Sequence, residues 1–282
     1  MDSKTRKRII KNNLFKWAVI ILSFLSLLPL IFIIFYLIKN GISVINWQFL
    51  VNLPTADIGA EGGGISNALV GTVILIILAS IFAIPLGVTT GLFLSENTKG
   101  TLANTVRICV DILSGVPSIV IGIIAYIWVV LPLHGFSALS GGIALALMML
   151  PVIIISTEET LRLIPYSLKE ASLALGVPYS ITMLKVILPS GISGIITGIL
   201  LSITRIAGET APLLFTAFGN PFMNVNILKP INSLPLLIYN YATSPYQEWH
   251  NLAWGASFVL LIFTFSLNFL TKVVTSKWKV QF

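Results

Sequence analysis

The stretch that decides the fold is residues 168–189, LKEASLALGVPYSITMLKVILP. Apolar side chains recur at helical spacing in its first half, at Leu168, Ala171 and Leu175. This periodicity predicts a short amphipathic helix near residues 168–178, because Gly176 suits a helix C-terminus and Pro178 cannot continue it. Such a helix fits either a groove on a partner protein or a lipid surface, and the periodicity alone favours neither.

The chain around this stretch is too apolar for a water-soluble protein. Of its 282 residues, 56% are hydrophobic and only 10% are charged, and the mean hydropathy is +0.97. A soluble domain carries about 25% charged residues, so this composition excludes a soluble enzyme or a nucleic-acid-binding protein. In a membrane protein, the net charge of +7 reports the orientation of the chain rather than an acidic partner.

Six segments are long enough to cross a membrane, which takes about 20 apolar residues. They are residues 17–38, 67–94, 117–133, 138–156, 190–214 and 252–274. We expect the second segment to be broken at Pro85 and Gly87. The first segment is too long for a signal peptide and predicts an uncleaved anchor. The sequence therefore predicts an all-α, polytopic bundle of six transmembrane helices.

The basic residues lie almost entirely on one side of these six segments. Two of the 17, Lys39 and Lys229, lie on the opposite side, and Arg205 lies inside the fifth segment. The other fourteen are Lys4, Arg6, Lys7, Arg8, Lys11, Lys16, Lys99, Arg107, Arg162, Lys169, Lys185, Lys272, Lys277 and Lys279. Because cytoplasmic loops carry an excess of Lys and Arg, this asymmetry predicts that the helix near 168–178 and both termini are cytoplasmic.

The fifth segment contains two charged residues, Arg205 and Glu209, four positions apart on one predicted helix face with Ser202. A charge in the middle of a span costs about 2.5–3.5 kcal/mol, so a compensating role is required. The two groups either pair to fix helix packing or line a translocation pathway. The planar guanidinium would favour an anionic cargo. Small residues recur every fourth position in this segment, at Ser190, Gly194, Gly198 and Ser202, which predicts a close helix contact.

Three other features have two interpretations each. Pro117, between Ser114 and Ser118, is either an ordinary helix start or a broken helix end whose backbone N–H groups face an anion. The glycines at 62–64 form either a flexible turn or a backbone nest. Glu158 and Glu159 are interpreted as a solvated loop rather than a pair of catalytic carboxylates. His134 and His250 have no second His or Cys nearby, so we expect neither a metal site nor a cofactor.

The opening stretch resembles the EAA signature of prokaryotic ABC importer permeases, Glu-Ala-Ala-x3-Gly-x9-Ile-x-Leu-Pro. The chain has Ser172 for the second Ala and Val186 for Ile, with the spacing intact. The resemblance implies that this segment is a coupling helix, in which Glu170, Ala171 and Gly176 dock into a separate ATP-hydrolysing subunit. The chain itself has no Gly-x4-Gly-Lys-Ser/Thr phosphate loop.

Three further stretches are similar to the phosphate-specific branch of these permeases: GGGISNALVGT at 62–72, LSGVPSIVIG at 113–122 and RIAGETAPLL at 205–214. In that branch the Arg of the fifth span is associated with phosphate passage, which implies this role for Arg205. We take the candidate pathway residues as Arg205, Glu209, Thr210, Ser202, Ser114 and Ser118.

The resemblance implies half of the membrane pathway of an ATP-driven inorganic phosphate importer in a prokaryotic plasma membrane, not an enzyme. Its partners would be a second permease subunit, two ATPase subunits, an extracytoplasmic phosphate-binding protein and membrane lipid. The expected organisation is an anchor region at 1–64, a type I permease domain at 65–275 and a tail at 276–282. The alternatives are a permease for sulfate or molybdate and, less favoured, an autonomous channel or a membrane enzyme.

Overall fold

The computed structural model describes residues 3–54 and 63–277. Regular structure in these ranges is helical, apart from one isolated bridge between Phe218 and Ile231. The α-helices are α1 (Ser3–Gly41), α2 (Trp47–Val51), α3 (Ser66–Glu96), α4 (Thr101–Gly115), α5 (Ser118–Ala125), α6 (Ala138–Arg162), α7 (Tyr166–Ala174), α8 (Tyr179–Thr182), α9 (Leu188–Ser190), α10 (Ile192–Ile206), α11 (Ala211–Leu214), α12 (Leu234–Ala242) and α13 (Gln247–Lys277). Gly62 and residues 278–282, which belong to the predicted turn and tail, lie outside the described residues.

Four helices are long and apolar enough to cross a membrane: α1, α3, α6 and α13. Two bent helix pairs meet the same criteria. The pair formed by α4 and the segment Ser118–Val130 is bent by 108°, and the pair formed by Tyr179–Ser190 and α10 is bent by 67°. The predicted six-span bundle is obtained when each bent pair counts as one span. The bend at Pro117 confirms that this proline interrupts a helix.

Helices α3 and α6 form the core of the bundle, and glycines of α3 allow the two helices to pack closely. A Cβ atom at Gly87 would lie 2.6 Å from Cγ2 of Ile153, and one at Gly91 would lie 2.6 Å from Cβ of Thr157. The predicted break of the second span at Pro85 and Gly87 is wrong, because α3 runs through both residues. One missing backbone hydrogen bond at Pro85 is tolerated in a membrane helix, and Gly87 serves helix contact instead.

Helix α6 extends beyond the predicted end of the fourth span and includes Glu158 and Glu159. The interpretation of Glu158 as a solvated loop residue is wrong, since its side chain is only 10% exposed and pairs with Arg107 and Arg162. Glu159 is exposed, as expected. The helix continues past the apolar segment because two guanidinium groups offset the charge of the buried carboxylate.

The region between α6 and α10 is helical for most of its length rather than an extended loop. It contains α7, α8, a π-helical segment (Met183–Ile187) and α9. The small residues of α10 then pack against α6: a Cβ atom at Gly194 would lie 2.3 Å from Oγ1 of Thr160, and one at Gly198 would lie 2.1 Å from Oγ of Ser156. The predicted close contact along these residues is confirmed.

Candidate functional site

The fifth span ends near the charged residues instead of running through them. Helix α10 ends at Ile206, and the backbone then turns, with the amide of Glu209 donating to the carbonyl of Ile206 at 3.1 Å. Arg205 lies in the last turn of α10 and is exposed. A cation in this position interacts favourably with the unpaired carbonyl groups of the helix C-terminus. The C-terminus of α10 therefore helps to stabilise the positive charge of Arg205 in this apolar region.

The expectation that Arg205 and Glu209 share one face of a continuous helix is wrong, because α10 stops between them. The structure nevertheless brings the two groups together across the turn. Glu209 interacts electrostatically with Arg205, and the hydroxyl of Ser118 lies near the Glu209 carboxylate. A cation, a carboxylate and a hydroxyl from two separate segments of the chain thus lie near one another.

A close backbone contact holds α5 against the segment that follows Glu209. Ser118 is the first residue of α5, directly after Pro117. One turn further along α5, a Cβ atom at Gly122 would lie 2.7 Å from Cα of Pro212, in α11. Because only glycine permits this approach, α5 is pressed against the segment that follows Glu209. This packing keeps the start of α5, with Ser118, near Glu209.

The remaining candidate pathway residues lie in different surroundings. Ser202 is fully buried, and its hydroxyl donates to the carbonyl of Ile199 in its own helix at 2.7 Å. Ser114 is exposed in the last turn of α4. Thr210, together with Gly208, lines a cavity of about 590 Å³ between the turn and α12 and α13. The structure brings Ser118, Glu209 and Arg205 together and keeps the Ser202 hydroxyl bonded to its own helix.

The cavity beside Thr210 has mainly apolar walls. The other lining residues are Leu37, Pro235, Ile238, Tyr239, Ala242, Thr243, Ser257, Leu260, Leu261 and Thr264. None of these described lining residues is charged, so the cavity has no counter-charge for an anion. The polar cluster around Arg205 is the better anion site of the two.

The short amphipathic helix predicted near 168–178 is confirmed as α7. It ends as expected, with Gly176 in the left-handed region at φ 77°. Glu170, Ala171 and Gly176 are all exposed, so they are free to contact a partner. Ser172, which departs from the family signature, is buried and shares a 2.9 Å hydrogen bond with the hydroxyl of Thr182. This bond joins α7 to α8 and satisfies the extra hydroxyl group.

A polar cluster that the sequence did not reveal ties α7 to the end of α3. Glu96, the last residue of α3, accepts from Nζ of Lys169 and from the hydroxyl of Tyr179. The ammonium group of Lys169 also lies 4.8 Å from the ring centroid of Tyr179. Burial lowers the pKa of Lys169, but the hydrogen bond and charge of Glu96 outweigh it, so this pKa is raised above its usual value. Lys169 is therefore a cation under all physiological conditions.

A second cluster that the sequence missed joins α3, α4 and α6. Nη2 of Arg107 donates to the carbonyls of Leu94 and Asn97 at 2.8 and 2.9 Å, which satisfies carbonyl groups at the end of α3. Nε of the same side chain donates to Oε1 of Glu158 at 2.8 Å. Arg162 approaches that oxygen at 2.6 Å from the next turn of α6. Only the Glu158–Arg162 pair has the local i,i+4 spacing that a sequence can reveal.

Long apolar helices and two bent helix pairs define a multi-pass membrane protein. The family described as "Binding-protein-dependent transport system inner membrane component" matches residues 83–280. The chain belongs to this family, and it is a multi-pass membrane protein that works within an ABC transporter of several subunits.

Individual relatives agree with this assignment. The phosphate transport system permease protein PstA of Yersinia pestis is 38% identical over 99% of this chain and 96% of its own length. The PstA protein of Xylella fastidiosa (strain 9a5c) is 43% identical over 80% of this chain and 79% of its own length. The probable PstA protein of Methanocaldococcus jannaschii is 37% identical over 90% of each chain. The resemblance to the phosphate-specific branch is thus confirmed.

Two solved structures share the fold. A chain of the MetNI methionine ABC transporter, in an inward-facing conformation, matches with a TM-score of 0.60 and 18% identity, over 77% of this chain and 95% of its own length. A chain of an amino acid ABC transporter matches with a TM-score of 0.53 and 16% identity, over 74% of this chain and 92% of its own length. The predicted type I ABC permease fold is confirmed.

Proposed function

We propose that this chain is the permease subunit that forms half of the transmembrane pathway of an ATP-driven inorganic phosphate importer. The observation that carries the proposal is the exposed Arg205 at the end of α10, beside Glu209 and Ser118. The names of the relatives, all phosphate transport permeases, support phosphate and do not favour sulfate or molybdate.

The chemistry of this cluster suits the transient binding of an oxyanion. The guanidinium of Arg205 offers several donors in a planar fork that matches two oxygens of a phosphate group. In the structure Arg205 interacts with Glu209, so an arriving anion competes with that carboxylate for the guanidinium. This competition keeps the anion weakly held, which passage through a pathway requires. Ser118 is a second donor, and Ser114, Thr210 and Ser202 are proposed to shape the pathway around it.

Transport by this chain depends on other subunits. We place the transport domain at residues 65–275, between an anchor region at 1–64 and a tail at 276–282. A second permease subunit supplies the other half of the pathway, an extracytoplasmic binding protein delivers phosphate, and two ATPase subunits hydrolyse ATP. Helix α7 docks on an ATPase subunit through Glu170, Ala171 and Gly176, and its displacement drives alternating access.

The selectivity is tested with the complete transporter reconstituted in vesicles. We expect ATP-dependent uptake of labelled phosphate that unlabelled phosphate suppresses and that sulfate and molybdate leave largely intact. Suppression by sulfate or molybdate at equal concentration would contradict the assignment of phosphate. The chain reconstituted alone is expected to give neither flux nor turnover, and flux without ATPase subunits would indicate a channel.

The docking of α7 is tested with Glu170→Lys in the same complex. Because Glu170 is exposed on α7, reversal of its charge is expected to weaken assembly with the ATPase subunit. Retention of both assembly and ATP-dependent uptake would contradict the proposed docking. The exposed Lys185, outside the signature residues, provides the control substitution Lys185→Gln.

A further inference from the structure

Helix α7 is attached to the bundle on the side that does not face its proposed partner. Glu170 is exposed, whereas the side chain of the preceding Lys169 is only 14% exposed. That side chain meets Glu96, the last residue of α3, whose own side chain is 21% exposed. An ion pair sheltered to this degree is held more firmly than a pair on an open surface.

The same carboxylate also receives the chain that leaves α7. After the turn at Gly176, the hydroxyl of Tyr179 donates to Glu96, so Glu96 contacts residues on both sides of that turn. The Lys169 ammonium lies over the rings of Tyr166 and Tyr179, at 5.6 and 4.8 Å from their centroids. The start of α7, the start of α8 and the end of α3 are therefore joined at one point.

A displacement of the cluster around Glu96 is transmitted to the core of the bundle. Helix α3 contacts α6 at glycines where backbones approach closely, as at Gly91 and Thr157. Arg107 additionally fastens the end of α3 to Glu158 of α6. Interfaces packed this closely move as a unit rather than deform. A force applied to α7 thus reaches α3 and α6 through Glu96, and it reaches α10 separately, through α8 and α9.

We propose that Glu96 is a positioning residue that transmits the movement of α7 to α3, with Lys169 and Tyr179 as its two contacts on the moving side. This inference rests on the proposed function, since it concerns how ATP hydrolysis is coupled to phosphate transport. Loss of the contact separates the two events: the ATPase subunits still bind α7 and hydrolyse ATP, but α3 no longer follows.

The test measures phosphate transported per ATP hydrolysed, using the complete complex in vesicles. Glu96→Gln and Lys169→Gln are each expected to lower this ratio at least about fivefold, equivalent to about 1 kcal/mol of coupling, while ATP hydrolysis persists. The charge-reversed double variant Glu96→Lys with Lys169→Glu is expected to recover most of the ratio. The control Lys99→Gln removes an exposed lysine near the same helix end and should leave the ratio unchanged.

An unchanged ratio in both single variants would overturn the inference, as would a parallel loss of hydrolysis and uptake that the double variant does not restore. If Glu96→Gln prevents assembly, Tyr179→Phe decides the matter. This variant keeps the Lys169–Glu96 ion pair and the aromatic ring but loses one hydrogen bond, so we expect the ratio of phosphate transported to ATP hydrolysed to fall about twofold. An unchanged ratio would overturn the inference. Absence of phosphate uptake by the unmodified complex would instead contradict the proposed function.

Discussion

Arg107 and Glu158 are joined by a 2.8 Å hydrogen bond between Nε and Oε1, although 51 residues separate them in the chain. The Glu158 side chain is 10% exposed, and Nη2 of Arg162 lies 2.6 Å from the same oxygen. One carboxylate thus holds two guanidinium groups, and one of these also satisfies carbonyl groups at the end of α3. This arrangement fixes α3, α4 and α6 at one end of the bundle.

Glu158→Gln is therefore expected to destabilise the protein. Removal of the charge leaves the sheltered guanidinium of Arg107 without its counter-ion, which costs about 1–3 kcal/mol, whereas the more exposed Arg162 remains solvated. The measurement is the midpoint of thermal unfolding of the purified protein in detergent. Glu159→Gln is the matched control, since Glu159 is the next residue and is exposed. Equal midpoints for the two variants would show that the Arg107–Glu158 bond contributes nothing to stability.

Gly198→Ala is expected to weaken the packing of α10 on α6. The new methyl group would lie 2.1 Å from Oγ and 2.4 Å from Cβ of Ser156. Because this Cβ cannot rotate away, the two helices must separate, at a cost of about 1–3 kcal/mol. The matched control is Gly115→Ala, because a Cβ atom at Gly115 meets nothing within 4 Å. Thermal unfolding compares the two. A Gly198→Ala protein as stable as the unmodified chain would contradict the close contact.

At Gly176, a substituted residue must adopt the left-handed backbone conformation. The residue has a φ of 77°, which valine adopts only with strain of about 1–2 kcal/mol. Asparagine visits this conformation more readily. We expect Gly176→Val to reduce co-purification with the ATPase subunit and Gly176→Asn to retain most of it. If the two variants behave alike, the left-handed turn is not what presents α7 to its partner.

Two serines near the bend at Pro117 are expected to differ in their effect on uptake. Ser118 lies near the Glu209 carboxylate, whereas Ser114 is exposed in the last turn of α4. Ser118→Ala removes a hydroxyl that is proposed to donate to a passing anion, and one such hydrogen bond is worth about 1 kcal/mol or roughly fivefold in rate. Ser114→Ala is expected to have a smaller effect. A larger effect at Ser114 would place the pathway on the α4 side of the bend.

The sequence was sufficient to predict features that depend on local pattern. The spacing of Leu168, Ala171 and Leu175 predicted α7, and Gly176 predicted where it ends. The small residues of the fifth span predicted a helix contact, which Gly194 and Gly198 make.

Features that depend on distant partners were beyond the sequence. Lys169 and Glu96 are 73 residues apart, and Tyr179 and Glu96 are 83 apart, so no periodicity connects them. The predicted common helix face of Arg205 and Glu209 is wrong for a different reason. Helix α10 ends at Ile206, and the backbone turns at Gly208, whose amide donates to the carbonyl of Arg205. A four-residue spacing predicts a common face only while the helix continues.

The most direct test of the account is ATP-dependent phosphate uptake by the complete complex carrying Arg205→Gln. The account predicts uptake at least about tenfold lower, equivalent to about 1.4 kcal/mol, because glutamine lacks both the charge and the fork. Arg205→Lys is the accompanying control, since it keeps the charge without the fork and should fall in between. Uptake by Arg205→Gln at the rate of the unmodified complex, with assembly intact, would contradict the central claim that phosphate passes this residue.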